Sequence, residues 1–397
     1  MNNIKLDFPI LDKKIRDKAI TYLDSAASTQ KPKQVINSIS EFLENSYENV
    51  HRGMNSLSID ATDLYEKSRD VAKNFINSNS TNEIIFTRGA TDSINIIANS
   101  LAEHLKEGDK IVVTELEHHS NYLPWMNLCK KLGLELKIIP ISKDGILSED
   151  DIINNCDDST KVLSLTHMSN VTGQILDIKK IKKSINKDTY VAVDGCQSIA
   201  HLKIDVKDLD CDFYSFSSHK LYGPSGIGIM YGKEDILNKL NPPTLGGGMI
   251  NEVSSNDFSY AMLPNKFEPG TPSIEAAIGF KTAMEYLTNN NYQDYFLNEK
   301  KLRSTLIKAL REFKEVDIYG SNEDGNATSI VSFNIKNQNF NDIATFLDQY
   351  GIMIRGGHHC CQPFMKKLGI PGSCRVSFGI YNAVSYTHLR AHETHTN

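Results

Sequence analysis

From residue 84 to residue 232 the chain keeps one rhythm: a short apolar run, a polar turn, an amphipathic helical stretch, then another apolar run. "EIIFT" (83–87) leads into "TDSINIIANSLAEHL" (91–105). "KIVVTELE" (110–117) is followed by "NYLPWMNLCKKLG" and "LELKIIPI". "KVLSLTH" (161–167), "TYVAVDG" (189–195), "DFYSFSS" (212–218) and "GIGIMYG" (226–232) continue the series. Short apolar runs separated by helical patterns imply strands buried on both faces and joined by helices. The rhythm therefore predicts an α/β fold with a mostly parallel sheet between helices. After residue 272 it changes. Two long helical patterns, "SIEAAIGFKTAMEYL" and "YFLNEKKLRSTLIKALREF", precede "SIVSFNI", "NDIATFLDQY", "IMIRGG" and "CRVSFGI", which predicts a smaller α+β domain. The expected division is an N-terminal segment 1–40 packing with the small domain, a large domain 41–272, a small domain 273–384 and an atypical tail 385–397.

The chain's 397 residues are enough for two domains. Lys+Arg 43 against Asp+Glu 49 gives a net charge of −6, which favours neither nucleic acid nor an anionic membrane. No apolar run is long enough for a transmembrane helix, and "MNNIKLDFPILDKKIRDK" lacks the apolar centre of a secretory signal. Seven cysteines, an odd number without framework spacing, fit a reducing cytoplasm better than a disulfide scaffold.

In open α/β sheets ligands sit beyond the carboxyl ends of the strands, and polar residues gather there. Lys220, in "SFSSHKLYGPSGIG", follows an apolar strand. A partly desolvated lysine loses proton affinity and becomes a nucleophile for carbonyl groups; the alternative is a loop lysine on a phosphate or on the surface. Asp194 ends "TYVAVD", where a buried acid needs a cationic partner or caps the next helix. Together the two match pyridoxal phosphate (PLP), whose ring nitrogen takes a carboxylate partner and whose aldehyde takes a lysine. "FTRGATDS" runs from strand into helix. Ala90 and Thr91 would offer amides to a phosphate there, with Thr91, Ser217 and His219 as side-chain donors, or the motif is an ordinary cap. In "LEHHSN", His118 or His119 could stack on a ring and act as an acid–base group near neutral pH, or the pair is structural. "IRGGHHCCQP" (354–363) is a poor chelate, because adjacent residues of an extended loop point apart. A bridge between Cys360 and Cys361 would be strained. A mobile loop carrying a thiolate is the remaining option, with Arg355 and the histidines favouring the thiolate.

Taken together, "YLDSAASTQKP", "NVHRGMNSLS", "TRGATDSIN", "ELEHHSNYLPW", "THMSNVTG", "VDGCQS", "DFYSFSSHKLYGPSGIGIMYG", "FEPGTPS", "RGGHHCCQP" and "CRVSFGIYN" resemble the cysteine desulfurases of the SUF iron–sulfur assembly system, from about residue 7 to about residue 382. These are fold-type I PLP enzymes of the class V aminotransferase family. The resemblance implies that Lys220 carries PLP covalently, Asp194 pairs with its ring nitrogen and Gln197 with its ring hydroxyl. His118 would stack on the ring, and Thr91, Ser217 and His219 would hold the phosphate. Thr271, in "PGTPS", would reach the phosphate of the partner subunit in a homodimer. Asn170 and Arg375 would bind the substrate carboxylate, with Arg355 supporting. Cys360 would be the nucleophile that takes sulfur from L-cysteine, leaves L-alanine, and passes its persulfide sulfur to a SufE-like or SufU-like acceptor for iron–sulfur cluster assembly. Selenocysteine lyase or another class V PLP transferase or lyase is the alternative. The chain departs from the family at Cys361, where a small residue is usual, in the turn "TLGGGMINEV", which is a residue short, and in the tail "AVSYTHLRAHETHTN", whose His388, His392 and His395 suggest a solvated segment rather than a metal site.

Overall fold

The computed structural model describes residues 4–320 and 326–382. The rhythmic part of the chain folds into seven strands: β1 (Ile84–Thr87), β2 (Lys110–Thr114), β3 (Glu135–Ile139), β4 (Thr160–Thr166), β5 (Tyr190–Asp194), β6 (Phe213–Ser217) and β7 (Gly228–Gly232). They lie in one sheet in the order β1-β7-β6-β5-β4-β2-β3. Neighbours from β6 to β3 pair in parallel, and β7 is wedged antiparallel between β1 and β6. The mostly parallel sheet is therefore present, with one inverted strand. Its pleat feeds two cores, since successive residues point to opposite faces. Val112, Tyr214 and Phe216 enter one apolar cluster, while Ile111, Val113 and Phe213 enter the other.

The principal helices are α1 (Lys33–Asn45), α2 (Ser56–Phe75), α3 (Ala90–Leu101), α4 (Leu123–Leu132), α5 (Ile274–Asn289) and α6 (Tyr292–Leu310). Helix α3 buries Ile94, Ile97, Ala98 and Leu101, an i, i+3, i+4, i+7 stripe that covers the sheet. Helix α5, which follows the expected boundary at residue 273, packs across α1 and α2. Gly279 allows the approach, because a Cβ there would stand 2.6 Å from Ile39 Cδ1. The chain after residue 272 thus begins with a helix whose apolar face completes the large core, and no linker separates the two parts.

The smaller sheet comprises β8 (Val316–Tyr319), β9 (Ile330–Ile335), β10 (Arg355–Gly357) and β11 (Ser373–Ser377), all antiparallel, in the order β8-β9-β11-β10. The N-terminal segment is stitched to this region. Thr21–Tyr22 pairs in parallel with Ile352–Met353, and Asp24 bridges to Ser377. Upstream, fully buried Phe8 meets the rings of Tyr222, Tyr286 and Tyr381 edge-on, with centroids 6.0, 6.1 and 4.9 Å away. No helix among the described residues is long and apolar enough to cross a membrane. The tail 385–397, with His388, His392 and His395, lies outside the described residues.

Phe8 is the one aromatic of the N-terminal segment that touches all three tyrosines. Truncation should leave a cavity that this rigid cage cannot close. Phe8→Ala is expected to cost about 3–5 kcal/mol, read as a lower urea midpoint of unfolding.

Candidate active site

Because β1 runs in the same direction as β6, the carboxyl ends of β1, β6, β5, β4 and β2 share one edge. Gly228, at the start of β7, sits there in register with both Thr87 and Ser217. Its lack of a side chain is required, since a Cβ would stand 2.6 Å from Gly89 Cα and from the Phe216 carbonyl oxygen. The α3 N-terminus can therefore press onto the end of β6. A cleft of about 160 Å³ opens above this edge, lined among others by Thr91, His118, Asn170, Asp194, Ser217, His219, Lys220, Arg355 and Arg375. Gln197, Thr271 and Cys360 do not line it. Gln197 spends its amide on the Ala26 carbonyl at 2.9 Å. Thr271 lies in a separate pocket with Arg88 and Glu268. Its loop is anchored by half-buried Glu268, which accepts from Arg69 NH1 and the Phe86 amide, both at 2.6 Å. The short turn is tied to the same loop, Gly270 N donating to Gly247 O at 2.7 Å.

Asp194 is 4% exposed. Its Oδ1 accepts the Cys196 amide at 2.9 Å, and the Cys196 thiol lies beside the same carboxylate. Neither neighbour is a cation, and a buried carboxylate wants a cationic ligand. Lys220 Nζ has no hydrogen-bond acceptor or ion-pair partner among the described residues. At the α3 N-terminus the cap is Gly89, which has no side chain to close the helix end. The Ala90 amide, expected to face a phosphate, donates instead to Ser217 Oγ at 2.8 Å. The Thr91 and Asp92 amides are left as the first-turn donors, and the Ser217 hydroxyl hydrogen is free to join them.

His118 is held by residues that the motifs did not single out. Its Nδ1 accepts the Ser120 amide at 3.1 Å, which leaves the ring proton on Nε2. Ser120 Oγ in turn lies 2.7 Å from Thr91 Oγ1. Burial, with Lys220, His119, Arg375 and Arg355 nearby, lowers His118 from its ordinary 6.5 to about 3. It is a neutral N–H group at physiological pH, not the group titrating near neutrality that the sequence suggests. His219 falls to about 4 by burial and the neighbouring Lys220 and Lys31.

Arg355 and Arg375 stand directly opposite each other on β10 and β11. Like charges in that position repel and call for an anion between them. Arg375 is 1% exposed. Its NH1 donates to Asn170 O at 3.0 Å and its NH2 to Asp24 Oδ1 at 2.9 Å, while its Nε has no partner. Asp24, which the motifs also left unassigned, thus aims the buried guanidinium. Asn170 uses its own amide on the His359 carbonyl at 2.8 Å.

Cys360 is half-buried between His359, which lines the cleft, and His358 and Gln362, which line an open groove outside it. The mobile loop expected here is tied down on both sides. The His119 amide donates to the Cys360 carbonyl at 2.7 Å, and the Gln362 amide donates to His119 Nε2 at 3.2 Å. Buried Cys361 directs its thiol at the Glu117 carbonyl, 3.3 Å away, and burial pushes that thiol's pKa up. His359 and Cys360 are both left-handed, with φ of 52° and 54°. That conformation costs non-glycine residues about 1–3 kcal/mol each and persists only where the surroundings enforce it. Among the described residues no group of three or more His, Cys, Asp or Glu could hold a metal ion.

The class-V aminotransferase family model matches residues 21–385. A "probable cysteine desulfurase" of Staphylococcus epidermidis is 44% identical over 378 residues, 95% of this chain and 91% of its own length. Its namesake in Staphylococcus aureus is 42% identical over 384 residues, 96% of this chain and 93% of that one. Among solved structures, the apo cysteine desulfurase of Thermococcus onnurineus superposes with a TM-score of 0.92 at 36% identity, covering 96% of this chain and 94% of its own. An Escherichia coli cysteine desulfurase in an S-sulfonic acid form gives 0.89 at 33% identity, with 97% and 95% covered.

Four buried or half-buried histidines set an acid limit on stability. His118, His167, His219 and His359 are lowered from 6.5 to about 3, 4, 4 and 2, burial being the largest cause in each. In the unfolded chain they take up protons as pH drops through about 6.5, while in the folded chain they do not, so stability falls with pH over that window. Glu117, raised to about 8 by burial, opposes this by roughly one proton, leaving a net difference of about three. Urea midpoints of the cofactor-free protein should decline steadily from about pH 6.5 to about pH 4.5, and His167→Gln should flatten the slope.

Proposed function

The chain belongs to the class-V aminotransferase family and is a cysteine desulfurase, and on that premise we propose that it takes sulfur from L-cysteine as a persulfide on Cys360 and leaves L-alanine. The observation that carries this reading is one cleft uniting an unpartnered Lys220 amine with two facing arginines, beside a cysteine at its rim. The cofactor is PLP, and the cleft's chemistry fits it. The buried Asp194 carboxylate suits a pyridinium, Lys220 an aldehyde, and the α3 N-terminus with Thr91, Ser217 and His219 a phosphate. Bound there, PLP supplies an electrophilic carbon for an amine and a ring that takes up the electron pair released at the substrate's α-carbon.

The protein's own groups do the rest. Arg375, through its free Nε, and Arg355 seat the substrate carboxylate with charge-assisted hydrogen bonds. Asp24 keeps the Arg375 fork from turning. Once the substrate amine has taken its place, Lys220 is free to remove the α-proton and later to return one. His118, neutral, contributes a ring N–H and a flat face at the cleft wall. The Cys360 thiolate attacks the substrate sulfur. The Cβ–S bond breaks as the S–S bond forms, and the carbon chain, after gaining two protons in place of the lost α-proton and sulfur, leaves as alanine.

Further assignments rest on the resemblance described above. Thr271 reaches the cofactor phosphate of a partner subunit in a homodimer. The persulfide passes to a SufE-like or SufU-like acceptor of the SUF system in the cytoplasm. Gln197 serves the ring hydroxyl once its bond to Ala26 is given up.

The test is a single turnover of PLP-loaded protein with L-cysteine and no reductant. Cys360→Ser should keep the cofactor absorbance yet lower alanine formation by roughly a thousandfold or more, as loss of a nucleophile does. Mass analysis of the parent protein should find one added sulfur on the peptide carrying Cys360. Normal turnover by Cys360→Ser would show that another group takes the sulfur.

A further inference from the structure

We propose that His119 is a positioning residue for the Cys360 thiol, holding the nucleophile's loop through its ring as well as its backbone. The inference rests on the reading of Cys360 as the sulfur-accepting nucleophile. It goes beyond it by naming what keeps that sulfur in place.

His119 follows the cleft-lining His118 and opens a short helical turn at His119–Asn121. Its main chain and its side chain grip the nucleophile loop at two separate points. The amide donates to the Cys360 carbonyl at 2.7 Å. The imidazole Nε2 accepts the amide of Gln362 at 3.2 Å, two residues later. The ring nitrogen must be an acceptor, since a backbone amide can only donate, so His119 carries its proton on Nδ1. The two bonds bracket Cys361, whose buried thiol reaches the carbonyl of Glu117 at 3.3 Å. The segment 117–119 is therefore a rail on which residues 360–362 are mounted.

The rail matters because the mounted residues do not hold their shape unaided. His359 and Cys360 are consecutive left-handed residues, a conformation that relaxes unless the chain on both sides is fixed. On the near side His359 is fixed by Asn170 and by Ser373, whose carbonyl lies 3.0 Å from His359 Nε2. On the far side the His119 ring is the fixing group for the first amide of the helix Gln362–Leu368. That ring is half-buried on the groove outside the cleft, beside the ring of His358 at 5.8 Å. It is not among the residues lining the cleft, so it acts on the thiol only through the loop.

The test compares His119→Ala, His119→Gln and Cys360→Ser in the PLP-loaded protein. The backbone bond to Cys360 survives both His119 changes, which isolates the ring. Gln can place an amide oxygen where Nε2 stood. The readouts are the concentration dependence of the cofactor absorbance change on adding L-cysteine, and the single-turnover rate of sulfur addition to Cys360. His119→Ala is expected to leave the absorbance titration unchanged and to slow sulfur addition by roughly tenfold to a hundredfold, the scale of a misplaced reacting group. His119→Gln is expected to recover most of that rate. Sulfur addition at the parent rate in His119→Ala, or equal slowing in both variants, would overturn the role of the ring acceptor. Alanine formation persisting in Cys360→Ser would instead overturn the nucleophile assignment and remove the premise, a result distinguishable from the first two.

Discussion

The cleft depends on how β7 is wedged between β1 and β6. An antiparallel strand in a parallel sheet brings the end of β1 to the end of β6 with a single strand's width between them. The crowding there is severe enough that Gly228 and Gly89 nearly touch. Only because neither carries a side chain can the open end of α3 lie against Ser217, two residues before His219 and three before Lys220. The donors for an anion and the amine for a carbonyl are thereby placed by sheet geometry, which is rigid, instead of by loop conformation, which is not. The buried pleat behind them, apolar on both faces, leaves polar groups no place to gather except this edge.

A second constraint comes from chain segments distant in sequence. Arg375 is a buried cation on a strand of the small sheet, and the carboxylate that steadies it, Asp24, belongs to the N-terminal segment. That segment also donates and accepts main-chain bonds with Met353 and Ser377. The surroundings of this guanidinium are thus built by three parts of the chain at once, the N-terminal segment, Asn170 beyond the large sheet's β4 and the small sheet itself. The facing arginines remain an unbalanced pair that Asp24 satisfies only in part.

Much of this was legible in the sequence, for reasons that can be named. Asp194, Ser217 and Lys220 close or follow apolar runs, and strand ends are where α/β sheets keep their chemistry. The inner strands were visible because burial on both faces leaves them rich in apolar residues. What the sequence did not reveal was contact between remote segments. Nothing in "YLDSAAS" marks Asp24 as the partner of Arg375, and nothing in "EHHSN" says that His119 faces the loop at Cys360. The neutrality of His118 depends on how deeply the ring is desolvated, and the acceptor of the Ala90 amide, Ser217, arrives from a strand over a hundred residues away. The loop at Cys360 looked free because adjacent histidines and cysteines carry no helical or strand pattern. Its order comes from carbonyls and amides, which every sequence has and none advertises.

The arrangement of the two neighbouring cysteines has a consequence for the protein's durability. Cys360 stands at the rim, between cleft and groove, while Cys361 is turned inward with its sulfur against a carbonyl of the rail beneath. The pair is adjacent in sequence but opposed in space, like the two sides of a door. An oxidant or electrophile arriving from solvent finds one sulfur, not two. A short circuit between the neighbours would require pulling Cys361 out of the apolar interior and breaking the loop's footing. The fold thus lets a chain carry two neighbouring thiols without exposing both to the same chemistry.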